Sequence, residues 1–444
     1  MTQYWCELAW LGGEKAEPGV LIEVGDDRIG AVTANLPEPP PGAERLVGLT
    51  LPGLANAHSH AFQRALRGRT QAGAGSFWTW REQMYALADS LDPDRYLALA
   101  RAAFGEMALA GVTTVGEFHY LHHGPGGVPY ADPNVMGRAV ITAAGQVGIR
   151  LTLIDACYLD GGIATPPEGA QRRFCDSDAE AWAARVDALA DSTSVRIAAA
   201  IHSIRAVPPA AARVVAAWAA GKACPLHAHV SEQPAENEAC IAAYQGTPTQ
   251  VLAGAGAVSS QFTAVHATHL EEADFLRLGE SRAFACLCPT TERDLADGIA
   301  PARRLRDAGA RLSLGSDSNA FIDLFEEARA VELDERLASH ERGGHGPVEL
   351  LRAATAAGAE CLGWPSGGRI ETGALADLVV VGLDSPRLAG TAAQDALAAV
   401  VFSASAADVR HVLAGGRWIV RDGAHATLDV RRELADAVAA VTPA

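Results

Sequence analysis

Short apolar runs alternate with alanine-rich stretches through the middle of the chain. The alanine-rich stretches repeat their apolar positions every three or four residues, as a helix with one buried face does. The short runs have the length and the β-branched content of strands. We expect eight strands, near residues 51–58, 112–118, 150–158, 195–202, 224–230, 262–267, 283–288 and 311–316. Because strands that alternate with helices pair in parallel, the pattern predicts an α/β fold of the (β/α)8, TIM-like barrel type.

The two ends of the chain have a different pattern. Residues 1–50 contain strand-like pieces separated by glycines and by the turn cluster PEPPPG, and the C-terminal part contains similar pieces such as ADLVVVGLD. Neither end has enough apolar positions to enclose a core by itself. We therefore expect a small β-sandwich domain formed by residues 1–50 together with 370–444, and a barrel domain that spans residues 51–369.

Composition and charge exclude several classes of protein. The formal net charge of −17 argues against binding to nucleic acid or to an anionic membrane surface. No apolar run approaches the roughly 20 residues that span a bilayer. The start, MTQYWCELAW, lacks the regions of a secretory signal, and the eight cysteines form no CxxC pair. We expect a cytoplasmic protein with reduced thiols.

Histidines and carboxylates collect where the predicted strands end. The first strand ends in His58-Ser59-His60, and because residues i and i+2 share one face of a strand, both imidazoles can reach one ion. Polar residues end other strands as well: Tyr120, His202, Arg205, His229, Glu232, His266 and Asp317. In a parallel barrel these ends form one rim, where such enzymes carry their chemistry. Three imidazoles and one carboxylate, with a position left for water, form a hydrolytic metal site.

Three positions on this rim have alternatives. In HAHVSE we prefer His229 to His227, because His229 is nearer the rim and precedes Glu232 by three residues. In VHATH we prefer His266, inside the strand, to the histidine that begins the loop. Asp317 could cap a helix instead, but its rim position and the need for an anionic ligand favour a catalytic role.

These residues resemble the amidohydrolase superfamily, and the likeness covers nearly the whole chain. Its members place HxH after the first strand, histidines after the fifth and sixth strands, and aspartate after the eighth. Its binuclear members commonly bridge two metals with a lysine at the end of the fourth strand. The two lysines of this chain, Lys15 and Lys222, do not lie there. The resemblance is therefore to the single-metal deaminase branch, which carries HxxE on the fifth strand.

Within that branch, long segments are similar to the formimidoylglutamate deiminases. The matching segments are HSHAFQRA at 58–65, SFWTWR at 76–81, EFHYLHH at 117–123, HSIRAV at 202–207, HVSEQ at 229–233, VHATH at 265–269, CPTTE at 288–292 and GSDS at 315–318. Two departures are Asn319, where a histidine is expected, and the segment TERDLADGI. They affect expected contacts at the rim and in the loop, but they remove no ligand.

The resemblance implies an enzyme that hydrolyses N-formimino-L-glutamate to N-formyl-L-glutamate and ammonia, a step of histidine degradation. It implies one divalent metal ion, which we expect to be Zn²⁺, held by His58, His60, His229 and Asp317. Asp317 would also accept a proton from water, Glu232 would pass a proton to the leaving nitrogen, and His266 would orient the reacting group.

The substrate implied by this resemblance is small and dianionic. It would be bound by Gln63, Arg81, Tyr120, His202 and Arg205, since a guanidinium matches a carboxylate with two parallel hydrogen bonds. We expect a homodimer that binds neither nucleic acid nor a membrane.

Two alternatives remain to be weighed. A deaminase of the same branch could act on guanine, an adenosine thioether or a triazine. Those substrates are flat and lack paired carboxylates, so Arg81 and Arg205 argue against them. A barrel without activity would have lost a metal ligand or Glu232, and all are present.

Overall fold

The computed structural model describes residues 1–71 and 75–442 and contains two eight-stranded sheets. The strands, in chain order, are β1 (Thr2–Ala9), β2 (Glu17–Gly25), β3 (Arg28–Thr33), β4 (Glu44–Pro52), β5 (Leu54–Ser59), β6 (Val112–His119), β7 (Arg150–Cys157), β8 (Val195–Ile201), β9 (Leu226–Val230), β10 (Phe262–His266), β11 (Phe284–Leu287), β12 (Arg311–Leu314), β13 (Leu378–Val381), β14 (Val409–Ala414), β15 (Arg417–Arg421) and β16 (Ala424–His425). Strands β5 to β12 form one sheet, and the other eight form the second.

The sheet formed by β5 to β12 is a parallel barrel in which the strands neighbour one another in sequence order. Its first and last strands meet beside a parallel bridge between Ser59 and Asp317. There the His60 amide donates to the Asp317 carbonyl oxygen at 2.9 Å, and the Asp317 amide donates to the His58 carbonyl oxygen at 3.0 Å. The predicted α/β barrel is confirmed, and the backbone that closes it belongs to three of the predicted site residues.

Most of the α-helices pack around the outside of the barrel, and the first lies at its carboxyl end, where it lines a cavity. The helices are α1 (Phe77–Ser90), α2 (Pro93–Leu109), α3 (Val135–Val147), α4 (Ala179–Val186), α5 (Pro209–Lys222), α6 (Pro234–Tyr244), α7 (Pro248–Gly254), α8 (Glu272–Glu280), α9 (Pro289–Asp294), α10 (Ala302–Ala308), α11 (Leu324–Ser339), α12 (Pro347–Arg352), α13 (Gly358–Cys361), α14 (Ala396–Ser403) and α15 (Val430–Val441). Strands β5 and β6 are buried at every position, as expected for parallel strands with neighbours on both faces. Within 1–71 and 75–442, no helix is both long and apolar enough to cross a membrane.

The second sheet joins the two ends of the chain. Its strand order is β16-β15-β14-β13-β4-β1-β2-β3, so that β13, from the C-terminal part, pairs antiparallel with β4. The sheet curls, since the rings of Tyr4 in β1 and Trp418 in β15 lie 5.3 Å apart although three strands separate them. An apolar core of its own lies inside the curl. The expected second domain extends to residue 444, and its last two residues lie outside the described part of the chain.

Candidate active site

A cavity opens at the carboxyl ends of the barrel strands. Ten of the eleven site residues expected from the sequence line it: His60, Gln63, Arg81, Tyr120, His202, Arg205, His229, Glu232, His266 and Asp317. The eleventh, His58, is fully buried next to the cavity wall. The structure thus brings all eleven residues to the same end of the barrel.

Four of these residues direct ligand atoms at one point. His58, His60, His229 and Asp317 each place one nitrogen or oxygen within 4.8 Å of the other three. Asp317 Oδ1 lies 3.2 Å from His58 Nε2 and 3.3 Å from His60 Nε2, and His229 Nε2 lies 3.2 Å from His58 Nε2. Two ligands of a tetrahedral zinc ion are about 3.3 Å apart, given zinc–nitrogen distances of about 2.0–2.1 Å. The spacing fits such an ion.

The hydrogen bonds of His60 and His229 leave their Nε2 atoms free to bind a metal. His60 Nδ1 lies 3.0 Å from the Phe118 carbonyl oxygen, and His229 Nδ1 lies 2.9 Å from the His202 carbonyl oxygen. A carbonyl oxygen only accepts, so each Nδ1 carries the proton and donates it. In a neutral ring the Nε2 atom then presents a lone pair toward the shared point, as a metal ligand must.

Burial keeps these imidazoles neutral. It lowers the pKa of His58, brings the pKa of His60 to about 3, and brings the pKa of His229 well below its usual value. Burial opposes ionisation of Asp317, but its contact with His58 and the positive charge of His266 outweigh it and hold the pKa of that carboxyl below its usual range. Neutral imidazoles with an ionised carboxylate are the protonation states that metal binding requires.

The backbone at the strand ends is bent into unusual conformations. Ser231, His266 and Asp317 have φ values of 51°, 67° and 43°, in the left-handed region that residues other than glycine rarely adopt. Such strain persists where the surrounding structure enforces it, typically at functional sites. Gly315 contributes differently, because a Cβ at that position would lie 2.7 Å from the His58 Cβ. The chain therefore passes too close to His58 for any larger residue.

His266 lies among three carboxylates. Its Nε2 atom is 3.8 Å from Glu232 Oε1 and 3.7 Å from Asp317 Oδ2, and its Nδ1 atom is 3.4 Å from Glu292 Oε1. Burial alone would lower the pKa of His266, but the hydrogen bond with Glu292 and the carboxylate charges outweigh it and raise the pKa well above its usual value. His266 is therefore suited to donate a proton or to stabilise negative charge beside the four-ligand cluster.

Sequence reasoning did not assign a role to Glu292. It accepts a hydrogen bond from the Cys288 amide at 2.9 Å through the oxygen that faces His266, and it is buried. Its segment, CPTTE, directly follows β11. That strand-end position, shared with the other site residues, is the signal that could have identified it.

Arg205 contacts Glu232 directly. Its Nη2 atom donates to Glu232 Oε2 at 2.7 Å, and its Nε atom lies 4.0 Å from Glu236 Oε1. Glu232 is thereby held with its other oxygen, Oε1, on the side of His266. The sequence predicted Arg205 only as a substrate contact, because the pairing depends on how the ends of β8 and β9 lie side by side.

Arg81 reaches the cavity from α1. It donates through Nε to the Tyr85 hydroxyl and through Nη2 to the Gly161 carbonyl oxygen at 3.2 Å. Its guanidinium carbon lies 5.3 Å from the centre of the Trp78 ring and 5.1 Å from that of Tyr85. Among the described residues, neither Arg81 Nη1 nor Arg205 Nη1 has a hydrogen-bond partner. Both arginines therefore retain donors for a ligand.

The remaining wall is polar on one side. Gln63 Nε2 donates to the Tyr120 hydroxyl at 2.9 Å, while Gln63 Oε1 is buried without a partner in the described part of the chain. The His202 ring packs against Tyr158, with ring centres 4.4 Å apart. The cavity thus offers an unused acceptor as well as unused cationic donors.

The alternatives left open by the sequence lie elsewhere. His227 Nε2 bonds to the Cys361 carbonyl oxygen at 3.1 Å, and His269 Nε2 bonds to the Asp297 carbonyl oxygen at 2.7 Å. Neither belongs to the four-ligand group. Asp317 caps no helix, because α11 is capped by Asp323, whose carboxylate accepts from the Phe325 amide at 3.0 Å.

Asn319, the departure noted in the sequence, binds the closure of the barrel. Its Nδ2 atom donates to Ser59 Oγ at 3.1 Å and to the His60 carbonyl oxygen at 3.0 Å. Its Oδ1 atom accepts from Ser316 Oγ at 2.6 Å. Asn319 therefore ties β5 to the end of β12.

Comparison with known proteins agrees with this architecture. The model of the amidohydrolase family matches residues 49–419. The chain is 38% identical to a formimidoylglutamate deiminase of Pseudomonas aeruginosa, covering 93% of this chain and 91% of the relative. It is 30% identical to a 5-methylthioadenosine/S-adenosylhomocysteine deaminase of Natronomonas pharaonis, covering 94% and 90%. A crystal structure of an amidohydrolase from Brucella melitensis is 31% identical and superposes with a TM-score of 0.92, covering 99% of this chain and 100% of that one.

Proposed function

The chain belongs to the amidohydrolase family and is a hydrolase that acts on C–N bonds. From that premise we propose that it converts N-formimino-L-glutamate and water to N-formyl-L-glutamate and ammonia. One observation carries the choice of substrate: two guanidinium groups, Arg81 and Arg205, line the cavity beside the four-ligand cluster. The 38% identity to a formimidoylglutamate deiminase supports the same choice.

The two arginines match the two carboxylates of a glutamate. The Nη1 atom of each arginine has no hydrogen-bond partner among the described residues. A guanidinium forms charge-assisted hydrogen bonds to a carboxylate. Without an anionic ligand, Arg81 contacts only neutral groups through its hydrogen bonds. A substrate carboxylate at Arg81 would provide the counter-charge that the wall does not.

We assign the metal ligands to His58, His60, His229 and Asp317, whose spacing and lone pairs fit one Zn²⁺ ion. When bound, such an ion lowers the pKa of a coordinated water toward about 7 and so supplies hydroxide at neutral pH. The chain's own residues hold the substrate and move the protons.

In the proposed reaction, the oxygen of water adds to the formimino carbon, and the bond from that carbon to the terminal nitrogen then breaks. Asp317 takes the first proton, since one of its oxygens belongs to the ligand cluster and the other faces His266. As the adduct collapses, Glu232, held by Arg205, takes the remaining proton from the hydroxyl that becomes the formyl oxygen and delivers it to the departing nitrogen, which leaves as ammonia. His266, kept cationic by its carboxylate neighbours, stabilises the negative charge that develops on oxygen.

Gln63 contributes to recognition of the head group. Its buried Oε1 atom has no described partner, and the formimino group carries N–H bonds that can donate to it. An unpaired buried acceptor is costly, so a ligand that supplies the donor gains affinity. The adenosine thioethers named for the Natronomonas pharaonis relative offer N–H groups, but 5-methylthioadenosine has no carboxylate and S-adenosylhomocysteine has only one, so neither supplies a pair of carboxylates for Arg81 and Arg205.

The proposal is tested with zinc-loaded protein and three substrates: N-formimino-L-glutamate, its analogue N-formimino-L-alanine, and 5-methylthioadenosine. We expect equal amounts of ammonia and N-formyl-L-glutamate from the first. The alanine analogue lacks the distal carboxylate, so its kcat/KM should be about 10- to 100-fold lower. Glu232→Gln, with the metal retained, serves as the control for contaminating activity. Turnover of the thioether in preference to the glutamate compound would contradict the proposal.

A further inference from the structure

A glutamine behind the cavity wall bonds to three groups that line the cavity. Gln171 lies in a short 3₁₀ segment, Gly169–Arg173, and is 6% exposed. Its Nε2 atom is 3.1 Å from the Tyr85 hydroxyl, 3.3 Å from the Tyr158 hydroxyl and 3.0 Å from the Gly161 carbonyl oxygen. Those three residues line the cavity, whereas Gln171 does not.

The orientation of the Gln171 amide follows from its partners. Its Oε1 atom accepts from the Glu168 amide at 3.1 Å, and a backbone amide can only donate. The NH₂ group must therefore face the two tyrosines and the Gly161 carbonyl. With two hydrogens for three acceptors, this group is fully used within the protein.

Two of the three partners also bind Arg81. Arg81 donates to the Tyr85 hydroxyl and to the Gly161 carbonyl oxygen, the same two oxygens that accept from Gln171. Tyr85 lies on α1 with Arg81, whereas Gly161 lies in the loop after β7. Gln171 therefore fixes both anchor points of the Arg81 guanidinium, although they belong to different elements.

The third partner leads to another proposed substrate contact. The Tyr158 ring lies 4.4 Å, centre to centre, from the ring of His202. Tyr158 is therefore a second route by which Gln171 could reach the cavity, and the double-mutant cycle below distinguishes it from the route through Arg81.

We propose that Gln171 is a positioning residue for substrate binding, which holds the Tyr85 hydroxyl and the Gly161 carbonyl so that Arg81 is ready for a substrate carboxylate. This inference rests on the proposed function of Arg81 in binding the dianionic substrate. Gln171 has no bond to Glu232, His266 or the four-ligand cluster, so its removal should weaken binding of substrate more than it slows the chemical step.

The test replaces Gln171 by methionine, which has a similar shape and no amide. KM for N-formimino-L-glutamate should rise about tenfold, with kcat within about threefold of the wild type and one metal per chain retained. Gln250→Met is the matched control. Gln250 also accepts from the backbone amide three residues before it, in a helix-start motif on the outer helix α7. Gln250→Met should leave KM unchanged. An unchanged KM in Gln171→Met would overturn the proposal.

A double-mutant cycle with Arg81→Met decides whether Gln171 acts through Arg81. Arg81→Met alone should raise KM about 100-fold, since a charged hydrogen bond to the substrate is lost. If Gln171 acts through Arg81, the double variant should have the KM of Arg81→Met within about threefold. If the KM increases of the two single variants multiply in the double variant, the proposal is overturned, because the two residues then act independently.

Amide hydrogen exchange gives a readout that needs no substrate. In Gln171→Met, exchange should become at least about fivefold faster in residues 158–168 and in the first turns of α1, and Gln250→Met should leave both unchanged. Unaltered exchange in both segments would overturn the positioning role. If the wild type fails to turn over N-formimino-L-glutamate, the proposed function fails, and the exchange result still decides the positioning role.

Discussion

Two clusters of histidine and aspartate lie at the ends of strands in the same barrel, and they differ in what their polar atoms already bind. The first is the four-ligand cluster with Asp317. The second consists of His119, His122 and Asp155, whose ligand atoms also lie within 4.8 Å of one another, and all three are buried. Proximity, burial and residue types therefore do not distinguish the two.

The contacts do distinguish them. Asp155 Oδ1 accepts from Arg185 Nη2 at 2.8 Å and from Trp182 Nε1 at 3.1 Å, and Oδ2 accepts from Arg185 Nη1 at 2.9 Å. His122 Nε2 donates to the Ala156 carbonyl oxygen at 3.0 Å, so that nitrogen has no lone pair to offer. A guanidinium already provides the positive charge that a metal would bring. The second cluster is a structural ion-pair network.

Removing one histidine from each cluster should give the largest difference between the two, which is a difference in zinc binding. A metal affinity of about 10–16 kcal/mol divided among four ligands gives roughly 3 kcal/mol each, so His229→Ala should lose about 100-fold in zinc affinity and most of its turnover. His122→Ala should keep one zinc per chain. Metal analysis by mass spectrometry after gel filtration measures both. Two zinc ions per wild-type chain, or zinc lost from His122→Ala, would contradict the distinction.

Removing the guanidinium should destabilise the second cluster without turning it into a metal site. Arg185→Met leaves Asp155 and Asp176 buried without their cation, which costs about 3–5 kcal/mol in free energy of unfolding. Arg138→Met is the control. It breaks an exposed ion pair with Asp132, which is worth at most about 1 kcal/mol. Urea unfolding of the zinc-loaded protein measures both losses, and equal losses would refute the structural role of the network.

The sequence predicts the four-ligand cluster better than the ion-pair network, and the reason is physical. The period of two along a strand places His58 and His60 on one face, and parallel strands bring the ends of β5, β9 and β12 to one rim. Those regularities suffice to assemble the ligands. They also reproduce the barrel strands to within a few residues, since six of the eight are buried at every position and the other two at all positions but one.

The second cluster and the Gln171 contacts follow no such period. His122 and His123 look like loop histidines, and they do lie in a loop, but they are buried against Asp155 and Asp176. Gln171 lies in a 3₁₀ segment beyond a proline-rich loop, where side-chain direction depends on the three-dimensional path of the chain. Arg81 and Gln63 were found only through resemblance. Contacts set by loops require the structure.

The smallest expected effect is the response of the second cluster to acid. Burial, followed by the charge of Arg185, lowers the pKa of His122 from 6.5 to about 4. The unfolded chain binds this proton more readily, so the native state loses stability as the pH falls from about 6.5 toward about 4 and regains it as the pH rises. The loss is at most about 1.4 kcal/mol per pH unit for one histidine.

His122→Gln should remove this slope while keeping a donor for the Ala156 carbonyl. The measured quantity is the free energy of unfolding of zinc-loaded wild type and variant at pH 7, 6 and 5, and the gap between them should narrow as the pH falls. His227→Gln provides the comparison. His227 is also buried, with a pKa lowered by burial to about 3 and a bond to a backbone carbonyl. We expect a similar narrowing in both variants, because both native pKa values lie below pH 5. Parallel curves for wild type and His122→Gln would show that the charge state of His122 does not affect stability.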